Sequence, residues 1–241
     1  MLLPEDLRRA IVGVVRCSFV WSLVVALVLP LVPRVQARPA DQSPAELAQA
    51  LQRKYDLVKD FSADFVHAYR GGVLNMKLTE RGRLIVKKPG KMRWEYTAPE
   101  RKLFVSDGVT FYSYLPDDKQ VLMSAVPADD NAATPALFLA GKGNLTRDFV
   151  PSFAEVPADL PPGTRGLKLA PKTPQPDYDW LILAVEPSTL ALKGLVTVDA
   201  QGGISSFSFT NLKENVGLAD KAFDFKVPRG VDLVTDPSLR R

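Results

Sequence analysis

Near the start of the chain, apolar residues recur at intervals of four and three, as they do along one face of an α-helix. Leu47, Leu51, Tyr55 and Val58 form this stripe. Directly before it, the segment Ser43-Pro44-Ala45-Glu46 supplies a capping serine, a proline at the first helical position and a glutamate that can complete a capping box. The pattern predicts a helix that begins after the serine and packs its stripe on the rest of the protein.

From residue 60 onwards the period of the pattern changes to two, which is typical of strands with one buried face. Phe61 and Phe65 alternate with Ser62 and Asp64, for example, and Asp107-Gly108 is a hairpin-turn sequence between two later segments. The alternation predicts eleven antiparallel strands, at 61–69, 76–87, 92–96, 103–106, 110–114, 120–124, 166–170, 178–185, 192–199, 204–211 and 223–227.

Two segments interrupt these strands. Thr134-Pro135 begins a short apolar stretch that reaches Ala140 and stops at Gly141, which predicts a second helix. Residues 150–177 contain seven prolines and are predicted to be rich in loops, with the strand at 166–170 as their only regular element. No linker divides residues 38–241, so we expect one mainly β (α+β) domain, an unclosed antiparallel barrel or strongly curved sheet.

Two helices can cover only part of such a sheet, and this favours an incompletely filled inner side. Large apolar side chains are numerous enough to form a core and also to line a pocket, although core packing alone would account for them. The set comprises Leu84, Val86, Met92, Trp94, Tyr96, Phe111, Leu137, Phe138, Phe207, Phe209 and Phe225.

The first 37 residues have the pattern of a cleaved export signal. Arg8, Arg9 and Arg16 precede an apolar run, and Val35-Gln36-Ala37 follows it with modest side chains suited to cleavage. The alternative is a membrane anchor, but only 17 residues separate Arg16 from Arg34, whereas a spanning helix needs about 20. We therefore expect a mature protein of residues 38–241 in the periplasm. The twin arginine leaves the export route open.

The composition excludes several kinds of chemistry. Cys17 is the only cysteine and His67 the only histidine, so zinc or copper clusters built on these residues are excluded, and no metal or other cofactor is expected. A hydrolytic triad would need His67, which has no nucleophile motif to accompany it, so we predict no catalytic residues and no enzyme. The net charge of +4 is small and contains no basic block, which argues against nucleic acid as a partner.

Three stretches of sequence occur in a specific order and at specific distances from one another along the chain. They are GRLIVKKPGKMRWEY at 82–96 with VSDG at 105–108, the apolar helix that begins at Thr134-Pro135, and FDFKVPRGV at 223–231. Together they resemble the outer-membrane lipoprotein carrier protein family, LolA, over nearly the whole chain after the leader.

The resemblance implies a fold, a function and partners. The family fold is an unclosed antiparallel barrel with a helical lid over an apolar cavity. Its members are periplasmic chaperones that take acylated lipoproteins from an ATP-driven transporter in the inner membrane to an acceptor in the outer membrane. It also implies an acyl cavity and a lid latch at Lys88, which in the family holds the lid through hydrogen bonds to lid backbone. The resemblance places Met92 and Trp94 at positions that face the cavity, and Leu137 and Phe138 in the lid helix. With apolar positions from the set above, the predicted cavity residues are Leu84, Val86, Met92, Trp94, Tyr96, Phe111, Leu137 and Phe138.

Other interpretations remain open at this point. Family members of the best-known kind have arginine at the latch position, and Lys88 could equally be a solvated residue at the end of a strand. The chain could bind another acylated lipid, or act as a lipid sensor, instead of carrying lipoproteins. We expect it to act as a monomer.

Overall fold

The computed structural model of the protein describes residues 42–71, 76–126, 139–175, 178–199 and 201–236. Within these ranges the chain forms two α-helices, α1 (Pro44–Leu57) and α2 (Leu145–Asp148), and a 3₁₀ turn (Asp220–Phe223). The strands are β1 (Asp60–Arg70), β2 (Lys77–Lys87), β3 (Lys91–Ala98), β4 (Lys102–Asp107), β5 (Thr110–Leu115), β6 (Gln120–Ala125), β7 (Phe149–Ala154), β8 (Arg165–Pro171), β9 (Trp180–Val185), β10 (Leu192–Val198), β11 (Ile204–Glu214) and β12 (Asp232–Thr235).

All these strands belong to one curved sheet. Their order is β12-β6-β5-β4-β3-β2-β1-β11-β10-β9-β8-β7, and the two edges, β12 and β7, do not pair with each other. The long strand β1 lies near the centre, between β2 and β11. The prediction of a mainly β, unclosed and strongly curved sheet is confirmed.

The inner face of the sheet, defined here as the face bearing Phe61, Ala63 and Phe65 of β1, holds the main core. These three side chains are buried, whereas Asp64 and Val66 between them are exposed. In an antiparallel ladder, directly opposed residues lie on the same face of the sheet. The alternation read from the sequence therefore continues from strand to strand as one apolar layer.

Helix α1 covers the part of the inner face near β7 and β8. Ser43 caps its first turn: the Ser43 hydroxyl accepts from the backbone N–H of Glu46 at 3.3 Å, and the Glu46 carboxylate accepts from the backbone N–H of Ser43 at 2.8 Å. Leu47 and Leu51 of the predicted stripe are completely buried against the sheet. The predicted first helix is confirmed.

Strand β7 was not predicted, because its residues fall in the proline-rich segment that we interpreted as loop. Pro151 lies within β7. Since β7 is the edge of the sheet, this proline can leave one side of the strand unpaired without breaking an internal ladder. The proline is thus compatible with a strand here because that strand is at the edge of the sheet. The described part of the sheet has twelve strands, whereas the sequence predicted eleven.

The end of the chain also differs from the prediction. Residues 223–227 are not a strand: Phe223 ends the 3₁₀ turn and is buried, and the Phe225 ring packs beside Tyr112 at 5.1 Å and Tyr114 at 5.9 Å. Their alternating pattern arises from packing against the sheet and not from pairing within it. The last strand is β12, which runs parallel to β6, so the sheet is not wholly antiparallel.

Most of the predicted second helix lies outside the described residues, which resume at Leu139. Within the described ranges, Leu139 and Ala140 are buried in the main core. The proposed leader, residues 1–37, also lies outside the described ranges.

Candidate functional site

Five of the residues predicted to line an acyl cavity lie together on the inner face of β2 and β3. Leu84, Val86, Met92, Trp94 and Tyr96 are each less than 10% exposed and belong to the main core. Leu84 is directly opposite Trp94, and Val86 is directly opposite Met92. The structure thus brings these side chains onto one apolar surface.

The remaining predicted cavity residues occupy different positions. Phe111 of β5 is partly buried and packs against the same core, and its ring stacks with that of Phe104 at 6.3 Å. Leu137 and Phe138 lie outside the described residues. Farther along the same face, Leu122 of β6 lies opposite Val234 of β12, and each is 44% exposed. The inner face is therefore closely packed near β1 to β3 and open towards β6 and β12.

Phe65 is the centre of the aromatic packing on this face, although sequence reasoning did not select it as a site residue. Its ring contacts Trp94 at 5.1 Å, Tyr96 at 4.8 Å and Phe207 at 6.2 Å, each with edge-to-face geometry. Phe65 lies opposite Gly82, whose missing side chain leaves room for the ring. A glycine inside a strand is a sequence signal of such a close approach.

A polar cluster is set into this apolar face. Glu80 of β2 is 4% exposed, and its two carboxylate oxygens accept from Lys102 Nζ at 2.7 Å and contact His67 Nδ1 at 3.1 Å. The hydrogen bond to Glu80 raises the pKa of Lys102. Burial lowers the pKa of His67, and the interaction with Glu80 opposes that effect.

The pKa of His67 predicts how stability depends on pH. The unfolded chain takes up a proton at His67 near the ordinary pKa of 6.5, whereas the folded chain does so only at lower pH. The contribution of His67 to stability therefore decreases as the pH falls through this window and levels off below the folded pKa. We expect the free energy of unfolding to decrease as the pH falls below about 7, and to decrease less in His67→Gln.

Denaturant unfolding of the two proteins at several pH values checks this expectation. His67 is the only histidine in the chain, so the difference between the two pH profiles reports on one imidazole. Parallel profiles would show that the folded environment leaves the titration of His67 unchanged.

Lys88 lies at the turn between β2 and β3, where it connects two parts of the chain. Its Nζ donates to the backbone carbonyl of Tyr55 in the last turn of α1. A cation is favourable there because the last carbonyls of a helix carry partial negative charge. Its aliphatic stem packs on Gly141, where an added methyl group would lie 2.8 Å from Lys88 Cδ.

The backbone reinforces this connection, because the N–H of Gly90 donates to the carbonyl of Ala140 at 3.0 Å. The resemblance implies hydrogen bonds from Lys88 to lid backbone, and most of the predicted lid helix lies outside the described residues. Within them, Lys88 Nζ donates to Tyr55 on α1, and the Lys88 stem contacts the 139–141 segment. Burial lowers the pKa of the Lys88 ammonium, and Asp56 opposes this effect.

A cavity of about 220 Å³ adjoins Lys88. Its walls come from the last two turns of α1, from the segment 139–145 and from the ends of β9 and β10. Leu51, Leu183 and Leu192 form apolar parts of the wall, and Gln52 and Asp56 add polar atoms. The cavity lies beside the connection made by Lys88 and not among the predicted acyl-contacting residues of β2 and β3.

Residues 56–226 match the family model described as outer membrane lipoprotein carrier protein LolA. The chain belongs to this family. The match extends from the end of α1 through β11 and therefore includes the whole apolar inner face except the edge strand β12. The family membership that the sequence pattern suggested is confirmed.

Relatives of this LolA-family chain match over most of its length. An outer-membrane lipoprotein carrier protein from Chromohalobacter salexigens is 30% identical over 223 residues, which cover 91% of this chain and 98% of the relative. Another from Methylococcus capsulatus is 29% identical over 210 residues and covers 87% and 96%.

Solved structures with a similar course of the chain include a LolA superfamily protein from Nitrosomonas europaea, which is 15% identical in sequence. The match covers 74% of this chain and 97% of the other, with a TM-score of 0.42. An uncharacterised conserved protein from Thermus thermophilus matches at 12% identity, with coverage of 80% and 99% and a TM-score of 0.48.

The described part of this LolA-family chain contains neither a membrane-spanning helix nor a metal-binding cluster. None of its helices combines the length and apolar character needed to cross a membrane. In the same residues, His, Cys, Asp and Glu side chains do not gather in threes as a metal site would require. The chemistry that this site can perform is apolar contact, with a small polar cluster at one position.

Proposed function

We propose that this protein is a periplasmic chaperone that shelters the acyl chains of lipoproteins against its inner face and carries them from the inner to the outer membrane. The observation that supports this most directly is the continuous apolar layer on the inner face of a sheet that belongs to the lipoprotein carrier family. Its relatives are named for the same task.

The physical requirement for such a carrier is large. Each buried methylene group of an acyl chain contributes about 0.8 kcal/mol, so a lipoprotein with several chains does not cross water unaided. An apolar surface meets this requirement by contact alone. We propose accordingly that the protein is not an enzyme and needs no cofactor.

The proposed ligand contacts are those on the inner face. Trp94, Met92 and Leu84 are buried in the arrangement described, so they would meet acyl chains only after the packing on this face opens, together with Val86, Tyr96 and Phe111. Leu137 and Phe138 would contribute from the lid. The open region near Leu122 and Val234 supports access from the side of β6 and β12, because both side chains are already partly exposed.

The proposed partners follow from the task. An ATP-driven lipoprotein-releasing transporter in the inner membrane would supply the cargo, and an acceptor at the outer membrane would receive it. We propose that the carrier itself works as a monomer in which residues 38–241 form a single lipoprotein-carrier domain.

Export is part of the proposal, because a periplasmic carrier must leave the cytoplasm. We expect cleavage after Ala37 and a mature protein that begins near Arg38. N-terminal sequencing of protein purified from the periplasm measures this directly. A membrane-bound product that retains Met1 would contradict the proposed localisation.

The function is tested by what the protein binds in the cell. We expect protein purified from the periplasm to contain acylated proteins, which mass spectrometry detects after extraction. Free acylated lipids without acylated protein would favour the second candidate, a binding or sensor protein for another lipid. A preparation with neither, which also fails to bind a fluorescent acyl probe, would contradict both.

A further inference from the structure

One row of residues on the inner face changes from apolar to polar as it crosses the sheet. Successive pairs in the strand ladders place Leu167, Leu183, Leu195, Phe207, His67 and Glu80 side by side, one from each of six neighbouring strands. Since paired residues share a face of the sheet, the first four form an apolar floor that ends at the last two. The His67 ring also stacks on Phe207, with centroids 4.2 Å apart and planes only 4° from parallel.

The Glu80 contact determines which nitrogen of His67 carries the proton. Glu80 is paired with the Lys102 ammonium at 2.7 Å, and a carboxylate in such a pair can only accept hydrogen bonds. His67 Nδ1, which lies 3.1 Å from the other carboxylate oxygen, must therefore be the donor. In the neutral imidazole, which burial favours, Nε2 is left with a lone pair and can only accept.

Trp94 provides the opposite kind of group near the same ring. Its indole Nε1–H can only donate, and its ring lies 5.2 Å from Phe207 in an edge-to-face arrangement. Among the described residues, neither Trp94 Nε1 nor His67 Nε2 has a hydrogen-bond partner, although both atoms are buried. A buried polar atom without a partner is costly, so two of them beside one aromatic ring indicate a use.

We propose that His67 Nε2 and Trp94 Nε1 form a polar anchor on the inner face for the amide that joins an acyl chain to its carrier group. This rests on the proposed function as an acyl carrier. A secondary amide has one N–H donor and one carbonyl acceptor, which are the groups that the two unpartnered atoms lack: in the proposed anchor its N–H bonds His67 Nε2 and its carbonyl bonds Trp94 Nε1. An ester with the same chain has no N–H and can satisfy only Trp94.

The anchor gives the carrier a preference for amide-linked over ester-linked acyl chains, which a purely apolar surface cannot have. Apolar contact alone favours the ester over an amide of equal length, because the amide N–H loses its hydrogen bond to water and finds no partner there. Glu80 and Lys102 do not touch the ligand in this arrangement. They hold the His67 tautomer in which Nε2 accepts, and they are therefore positioning residues.

The test compares two probes that differ only in N–H against O, N-methyl dodecanamide and methyl dodecanoate. Their affinities are measured by displacement of a fluorescent acyl dye from wild type, His67→Phe and His67→Gln. We expect wild type to bind the amide about three- to tenfold more tightly than the ester, the scale of one hydrogen bond. His67→Phe keeps an aromatic ring but loses the acceptor, so its preference for the amide should vanish or reverse in favour of the ester. His67→Gln retains an acceptor oxygen at a similar distance and should keep much of the preference.

A second measurement on wild-type protein does not depend on how the variants fold. His67 is the only histidine, so the nitrogen NMR signal of its Nε2 is unique in a ¹⁵N-labelled sample. That signal should move on addition of the amide and much less on addition of the ester. Equal affinities for the two probes, with equal shifts of the signal, would overturn the anchor while leaving acyl carriage intact. Failure of wild type to bind either probe would instead overturn the proposed function, and the anchor with it.

Discussion

Gly82→Ala is expected to lower the free energy of unfolding by about 3 kcal/mol or more, at the upper end of what overpacking a core costs. A methyl group at this position would overlap the backbone carbonyl of Glu95 on the neighbouring strand. It would also lie 2.6 Å from Cζ and 2.8 Å from Cε1 of Phe65. The carbonyl belongs to a paired strand and the ring is locked by three aromatic neighbours, so neither can move away at low cost.

Gly71→Ala is the matched control. The nearest atoms to a methyl group at Gly71 lie at 3.6 Å, which is ordinary van der Waals contact. We expect its free energy of unfolding to stay within about 1 kcal/mol of wild type. Denaturant unfolding of the three proteins makes the comparison, and similar midpoints for both variants would show that β2 and Phe65 can shift after all.

The same substitution should also affect ligand binding, because Phe65 supports the inner face. Its ring contacts Trp94 and Tyr96, two of the proposed acyl-contacting residues. A methyl group that displaces Phe65 would move both rings. Gly82 therefore links the local backbone of one strand to the shape of the proposed binding surface.

Strands β2 and β3 were predictable because buried positions alternate with more exposed ones along each of them, so that the alternation appears directly in the sequence. The errors occurred where another interaction replaced this pattern. Pro151 suggested a loop but lies on an edge strand. Phe223 and Phe225 alternate as in a strand but pack against the sheet from a 3₁₀ turn and the segment after it.

The site was predictable only in part, for a similar reason. Alternation with Arg93 and Glu95 assigned Trp94 and Met92 to one face of the sheet, and the family resemblance identified that face as the inner one. The contact between Glu80 and Lys102 depends on strand register, which no short-range pattern reveals. The partner of Lys88 is a backbone carbonyl, and every residue supplies one, so the sequence could not indicate Tyr55.

Lys88 is expected to slow the release of bound ligand. Lys88→Met retains a long apolar stem that can pack on Gly141 but removes the ammonium that bonds the Tyr55 carbonyl. We call the arrangement in which Lys88 connects α1 to the 139–141 segment the closed arrangement. We expect the substitution to lower the stability of this arrangement by about 1 to 3 kcal/mol, the scale for a hydrogen bond to a charged group. An acyl probe should then leave for acceptor vesicles between about fivefold and about 150-fold faster.

Lys88→Arg tests whether charge or geometry matters at this position. It restores a cation at the end of α1, and its guanidinium offers several donors in a rigid plane. We expect release to be as slow as in wild type or slower. The equilibrium affinity for the probe should follow the same order, because a firmer connection between α1 and the 139–141 segment favours the closed arrangement.

The neighbouring lysine provides the control that separates this effect from a general loss of positive charge. Lys87 Nζ donates to the Leu218 carbonyl at 2.9 Å and pairs with Asp220 at 2.7 Å, so it binds the segment around the 3₁₀ turn. Within the described part of the chain, these side-chain interactions do not reach α1 or the 139–141 segment. Lys87→Met should change stability modestly and leave the release rate near that of wild type. If Lys88→Met and Lys87→Met release the probe at equal rates, Lys88 is an ordinary residue at the end of β2. The next candidate for control of release is then the set of apolar contacts of the 139–141 segment, where Leu139 and Ala140 are buried in the core.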